Sequence, residues 1–109
     1  MISYVLKAFE WARKYGLRIN LDLHTIPGSQ NGWNHSGKLG DMGWMAGTMG
    51  VANAQRSLDY MRIIVQFISQ PQYTNVVPMF GIVNEPFVGF EALYQLYVVR
   101  QALHLESFR

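Results

Sequence analysis

Apolar residues follow two different periods along this chain, and the switches between them mark its elements. Tyr4, Val5, Ala8, Trp11, Ala12 and Tyr15 recur at steps of three and four, which predicts a helix. Ser3 is placed to cap its start, and Gly16 to end it as the left-handed residue after the last turn. From Leu17 to His24 the period becomes two, which predicts a strand. Leu17, Ile19, Leu21 and Leu23 share one of its faces; Arg18, Asn20, Asp22 and His24 share the other. Val51, Ala54, Leu58, Met61, Ile64, Val65 and Ile68 restore helical spacing, and Pro71 closes that stretch. Val76 to Val83 is a short apolar run of strand length, followed by Asn84-Glu85-Pro86. A last helical pattern starts near Phe90 and takes in Leu93, Leu96, Tyr97, Ala102 and Leu105.

The order is helix, strand, long loop, helix, strand, helix: a βαβ unit of an α/β fold with an extra helix at each end. Strands joined by a crossover helix are expected to be parallel neighbours. Two strands are too few to cover several amphipathic helices, so the pattern reads as part of a larger sheet. The loop, Thr25 to Gly50, holds seven of the ten glycines. It exceeds the roughly 12–15 residues above which loops in compact domains are usually functional or disordered. Trp33, His35 and Trp44 within it argue against simple disorder.

Composition narrows the functional classes. The 109 residues are half hydrophobic and only 15% charged, which excludes whole-chain disorder. Nine Lys and Arg against seven Asp and Glu leave a formal charge of +2, scattered without a basic cluster that could track a phosphate backbone, so nucleic acid is not an expected partner. The absence of cysteine excludes disulfides, thiolate zinc sites and cysteine nucleophiles. No apolar run approaches the roughly 20 residues of a membrane span. The first sixteen residues carry Lys7, Glu10, Arg13 and Lys14 and do not read as a signal peptide. Aromatic residues make up 14% of the chain, enough to supply both a core and stacking platforms.

In α/β folds, ligands bind beyond the carboxyl ends of the strands. Here those ends carry Asp22 and His24 on the first strand and Asn84 and Glu85 on the second, and the long loop leaves from the same edge. Glycoside hydrolysis suits such a set. It ordinarily needs two carboxyl groups flanking the scissile bond, one of which protonates the leaving oxygen. Glu85 is the candidate acid, provided that its surroundings raise its pKa toward neutrality. Asn84 is a candidate donor to the sugar 2-hydroxyl, and Trp33, Trp44 and Phe87 are candidates for stacking on pyranose faces. Each of these residues also has an ordinary structural reading, as a solvated carboxylate, a hydrogen-bonded histidine or a packed aromatic ring. A metal site built from Asp22, His24 and His35 is a further alternative, although no helical His-x-x-x-His spacing supports it.

The stretch Leu21-Asp-Leu-His-Thr-Ile-Pro-Gly-Ser-Gln-Asn-Gly32, followed by Gly81-Ile-Val-Asn-Glu-Pro86, resembles the fungal exo-β-1,3-glucanases of glycoside hydrolase family 5. The helical Ala8-Phe-Glu-Trp-Ala-Arg-Lys-Tyr-Gly16 fits the same family, and the resemblance covers about residues 4–97. It implies a (β/α)8 TIM barrel of which residues 1–109 supply about strands three and four with their flanking helices, as a partial domain truncated at both ends. It also implies a retaining, exo-acting hydrolase that releases glucose from β-1,3-glucan without a metal or other cofactor. Glu85 inherits the role of general acid/base, Asn84 that of 2-hydroxyl donor, and His24 a place in the subsite of the cleaved glucose. Asn31 inherits a sugar contact and Trp33 part of an aromatic clamp at the entrance.

Three departures qualify the match. Where many relatives read His-Gly-Ala-Pro, this chain has His24-Thr25-Ile26-Pro27, and the larger side chains are expected to narrow the cleft. After Tyr97 the sequence leaves the family pattern. The family's nucleophile, a glutamate at the end of strand seven, falls beyond residue 109. Glu10, Asp59, Glu91 and Glu106 lie on predicted helices, and neither Asp22 nor Asp41 is placed to stand in about 5–5.5 Å from Glu85. A complete barrel takes about 250 residues, so open sheet edges are expected to invite self-association. The isolated chain is expected to hydrolyse glucan negligibly. The alternatives are a non-catalytic glucan-binding fragment and an incomplete gene product without independent activity. The family is typically secreted or wall-associated.

Overall fold

The computed structural model describes residues 2–87. It comprises helix α1 (Ile2–Lys14), strand β1 (Asn20–Asp22), a 3-10 turn (Asn34–Ser36), helix α2 (Gly50–Ile68) and strand β2 (Met79–Gly81). The helix expected from Phe90 lies outside the described residues. The two strands are parallel neighbours, as the crossover predicts, with Asn20 opposite Met79, Leu21 opposite Phe80 and Asp22 opposite Gly81.

Helix α1 ends as its sequence requires. Gly16 sits at φ +69°, the Leu17 amide donates to the Ala12 carbonyl at 2.8 Å and the Gly16 amide to the Arg13 carbonyl at 3.4 Å. This paired closure satisfies carbonyls that the last turn would otherwise leave open. The start differs from expectation: the helix already includes Ile2, so Ser3 lies inside it rather than capping it. Its buried face also differs. Phe9 and Ala12 are buried, with Val5 partly so, whereas Tyr4, Trp11 and Tyr15 face solvent. A two-stranded sheet is too narrow to cover both sides of an aromatic helix.

Both strands are shorter than their apolar patterns predict, because backbone donors at their starts are engaged elsewhere. The Leu17 amide closes α1, and the Val76 and Val77 amides both donate to the Tyr73 carbonyl. Pro78 has no amide hydrogen to offer. Single bonds from Ile19 to Val76 and from Leu23 to Gly81 flank the ladder. The alternation of β1 holds nonetheless: Asn20, Asp22 and His24 are exposed, and Leu21 and Leu23 are partly buried.

Leu21 packs with a cluster of Phe9, Ala12, Ile68, Val76 and Val77, where Phe67 and Tyr73 form an aromatic group around Phe9. Leu23 joins a second cluster of Ile26, Trp44, Leu58 and Met61, and Phe80 touches both. Burying a side chain of this size contributes about 1.5–3 kcal/mol. The helical stripe of α2 is borne out at Leu58, Met61 and Ile68, while Val51 is exposed. The Ser69 amide and hydroxyl both bond the Val65 carbonyl, and the chain turns at Pro71.

The long loop is ordered by its own hydrogen bonds. Gly43 donates to the Gly28 carbonyl, Gly40 to the Gly32 carbonyl, and the Asn53 side chain on α2 reaches the Gly43 carbonyl at 3.0 Å. Ser29 and Ser36, both buried, join their hydroxyls, and Ser29 Oγ accepts the Gly32 amide at 2.9 Å. Ile26 turns inward against Trp44 and Leu58, so it does not narrow a cleft as expected; its side chain is core.

Candidate active site

Three segments meet beyond the carboxyl ends of the strands: the tip of β1, the tip of β2 and the start of the loop. Gln30 joins them. Its buried amide nitrogen donates to the His24 carbonyl at 2.8 Å and to the Asn84 carbonyl at 2.9 Å, and the Gln30 carbonyl accepts the Phe87 amide at 3.0 Å. A primary amide carries two donors, and both are used here to fasten one strand end to the other. Gln30 Oε1 has no hydrogen-bond partner among the described residues. The sequence reading missed this residue. Its signal was a long polar side chain set between Gly28 and Gly32 in a motif that otherwise turns tightly.

Two chains of polar side chains stand on this frame. In the first, His24 Nδ1 lies 2.7 Å from Asp22 Oδ2, and its Nε2 lies 3.4 Å from Asn84 Nδ2. A carboxylate only accepts, so the Nδ1–H donates to Asp22 and the Nε2 lone pair faces the Asn84 amide. In the second, Asn31 Nδ2 donates to the Glu85 backbone carbonyl at 3.0 Å, and its Oδ1 accepts the Trp33 amide at 2.9 Å. His35 Nε2 lies 3.1 Å from Glu85 Oε2 and 3.4 Å from Asn31 Nδ2. The two histidine rings are 5.9 Å apart, and Trp33 meets His35 edge-on at 5.5 Å.

Glu85 itself sits at φ +45°, a left-handed conformation that few non-glycine residues adopt. Such strain persists only where surrounding contacts hold it, and the Asn31 bond to its carbonyl is one of them. The Glu85 carboxylate is 59% exposed and reaches outward from the strand end.

The five residues to which the resemblance assigns catalytic or sugar-binding roles, Glu85, Asn84, His24, Trp33 and Asn31, fall in one neighbourhood. Trp33 is 49% exposed and free to present a ring face, as is the exposed Phe87, whose amide donates to the Gln30 main-chain carbonyl. Trp44 is not. It is fully buried among Ile26, Leu58 and Met61, which removes it from the stacking candidates. Asp22, His24 and His35 do not make the alternative metal site: among the described residues no group of three His, Cys, Asp or Glu side chains converges on one point. His35 instead faces Glu85.

Four other carboxylates are described. Asp22 shares this edge but is engaged by His24, and the other three lie elsewhere: Asp41 is bonded to Lys38 at 3.4 Å and Asp59 to Arg62 at 3.7 Å, while Glu10 lies on α1. No helix among the described residues is long and apolar enough to cross a membrane.

Over 85 residues, 78% of this chain, the sequence is 61% identical to the probable glucan 1,3-beta-glucosidase D of Aspergillus flavus. It is 58% identical to the protein of that name from Aspergillus niger and 54% identical to that from Aspergillus fumigatus, again over 85 residues. The match takes in 10% of each, so the chain spans about one tenth of the length of the curated relatives it matches. No protein-family model matches the chain. The likeness read from the Asp-Leu-His and Asn-Glu-Pro motifs is thus a close one: over most of its own length the chain is similar to a segment of proteins named probable glucan 1,3-beta-glucosidase D.

Proposed function

We propose that the chain is a segment of a glycoside hydrolase acting on β-1,3-glucan, and that it carries the acid/base half of the active site. The observation that supports this reading most directly is the convergence of Asp22, His24, Asn84 and Glu85 at one sheet edge, walled by Asn31, Trp33 and His35. In that reading the segment contributes about strands three and four of a (β/α)8 barrel. Glu85 protonates the glycosidic oxygen as the bond to the anomeric carbon breaks, then takes a proton from the attacking water in the second step. Asn84 donates to the 2-hydroxyl, where a hydrogen bond strengthens as the sugar gains oxocarbenium character. His24, held in one tautomer by Asp22, and Asn31 orient the glucose that is cleaved from the chain end. Trp33 stacks on the sugar beyond it. No step calls for a metal or other cofactor. The nucleophilic carboxylate of a retaining mechanism comes from outside these 109 residues.

Calorimetric titration with laminari-oligosaccharides, alongside an assay of glucose release, tests the reading. The isolated chain is expected to bind these sugars without turnover, and Trp33→Ala and Asn84→Ala to weaken binding by about ten-fold or more each. A longer protein that carries this segment together with a second catalytic carboxylate is expected to hydrolyse them, and Glu85→Gln to abolish that hydrolysis. A folded chain that binds no β-1,3-glucan oligosaccharide would sink the proposal, as would hydrolysis undiminished by Glu85→Gln.

A further inference from the structure

We propose that His35 is the positioning residue for Glu85, holding its carboxyl group in one place in both of its protonation states. The inference rests on the reading of Glu85 as acid/base and adds a residue to it. An acid/base carboxyl presents two different faces to a neighbour during turnover, being a donor when protonated and only an acceptor when ionised. A partner that can only donate, such as lysine, meets the protonated form only at its carbonyl oxygen and never at its O–H. An imidazole fits both, because the same ring nitrogen donates as N–H or accepts through its lone pair.

His35 Nε2 is placed to do this, 3.1 Å from Glu85 Oε2. When Glu85 is a carboxylate, Nε2–H donates to it. When Glu85 carries its proton on Oε1, the oxygen left to face the leaving group, Nε2–H goes on donating to Oε2; when the proton is on Oε2, the Nε2 lone pair accepts it and the ring proton resides on Nδ1. The ring is part-exposed, so the exchange between Nε2 and Nδ1 runs through solvent and needs no other protein group. Asn31 makes the arrangement asymmetric. Its amide has two N–H donors: one is given to the Glu85 backbone carbonyl at the shorter distance of 3.0 Å, and the nitrogen lies 3.4 Å from the same Nε2, where the second N–H meets the ring lone pair when that is free. Glu85 is thereby held by its main chain from Asn31 and by its side chain from His35, with its carboxylate still accessible to solvent.

The position of the ring is itself fixed. His35 occupies the 3-10 turn Asn34–Ser36, which is anchored by Ser36 Oγ donating to the Trp33 carbonyl at 2.7 Å and by the buried Ser29–Ser36 hydroxyl pair. Trp33 packs edge-on against the ring. A sugar stacked on Trp33 would therefore rest on the same turn that steadies the acid.

Carbon-13 and nitrogen-15 NMR of the 109-residue chain tests this directly, with backbone amide spectra as the check on folding. His35→Leu, which can neither donate nor accept, is expected to move the Glu85 carboxyl resonance and to weaken laminaritriose binding about ten-fold. His35→Gln, whose amide can do either, is expected to return both toward the wild-type values. Glu85→Gln should change the ring-nitrogen shifts of His35 and leave those of His24 in place, and it reads the same contact if His35→Leu fails to fold. An unmoved Glu85 resonance in folded His35→Leu overturns the proposal, as does a His35 ring indifferent to Glu85→Gln. Failure of the wild-type chain to bind the sugar would count against the functional reading alone, since the carboxyl and ring resonances still decide the His35–Glu85 coupling.

Discussion

Replacing Gly28 with alanine separates two costs that glycines at positive φ usually combine. Gly28 sits at φ +85°, and a Cβ built on it would lie 2.6 Å from Asn53 Nδ2 and 2.6 Å from the carbonyl carbon and oxygen of Gly43. Two of those three atoms belong to backbone, so the loop and the start of α2 must move apart to admit a methyl group. The left-handed conformation costs a non-glycine residue about 1–2 kcal/mol. The overlap adds about 1–3 kcal/mol, as overpacking of a close-packed site does. Gly28→Ala is therefore expected to lose about 2–5 kcal/mol, against the roughly 5–15 kcal/mol of a whole domain. Gly16 supplies the control, because at φ +69° its added Cβ would meet nothing within 4 Å. Gly16→Ala should lose the conformational part alone. Urea unfolding of the two variants, followed by tryptophan fluorescence, gives the comparison through the shift in midpoint at unchanged slope. Equal losses in the two variants would refute the claim that Gly28 is needed for a close backbone approach rather than for its φ.

Three further outcomes follow from the same geometry. Gln30→Glu puts a buried carboxylate against the carbonyls of His24 and Asn84, which only accept, and should destabilise the chain by about 3–5 kcal/mol at neutral pH. Burial and acceptor neighbours raise the folded-state pKa of the new carboxyl above its unfolded value of about 4.3, so the variant is most stable below that pH and weakens as pH rises through it. Unfolding at pH 4 and pH 7 checks this, and an equal deficit at both would contradict it. Gly81→Ala would set a Cβ 2.7 Å from Asp22 Oδ1, the end of a side chain that can rotate away. It should cost less than about 1 kcal/mol while shifting the His24 ring-nitrogen resonances, because it displaces the partner of His24 Nδ1; unchanged His24 resonances would refute it. Trp44→Ala should cost about 3–5 kcal/mol in thermal unfolding and Trp33→Ala less than about 1 kcal/mol, the reverse order being fatal to the assignment of one as core and the other as surface.

Features set by local chemistry were legible in the sequence. Gly16 ends α1 because a left-handed residue is needed there, and the alternation from Asn20 to His24 survives because a pleated chain must alternate. Strand length was not legible, since it depends on where the amides of Leu17, Val76 and Val77 find acceptors, and the apolar pattern says nothing of that. The site divides in the same way. Asp22, His24, Asn84 and Glu85 could be placed together because strand ends of an α/β unit share an edge. Gln30 and His35 could not be assigned their partners, because a glycine-rich loop has no period from which a path can be read. The two loop tryptophans show the limit most plainly: Trp33 stands between Gly32 and Asn34, Trp44 between Gly43 and Met45, and only the methionine beside the second hints that it is core.

The single amide of Gln30 that clasps both strand tips bears on how such chains can be re-engineered. Exchanging a long loop between related proteins is commonly treated as fitting a new lid to an unchanged frame. Here the exchange would also undo the frame, because the ladder proper is only Asn20–Asp22 against Met79–Gly81 and the spacing of His24 and Asn84 depends on a loop side chain. A graft must carry a glutamine of the same reach, or redesign both strand ends along with it. Loop libraries built on this chain should hold Gln30 fixed and vary the exposed surface around Trp33.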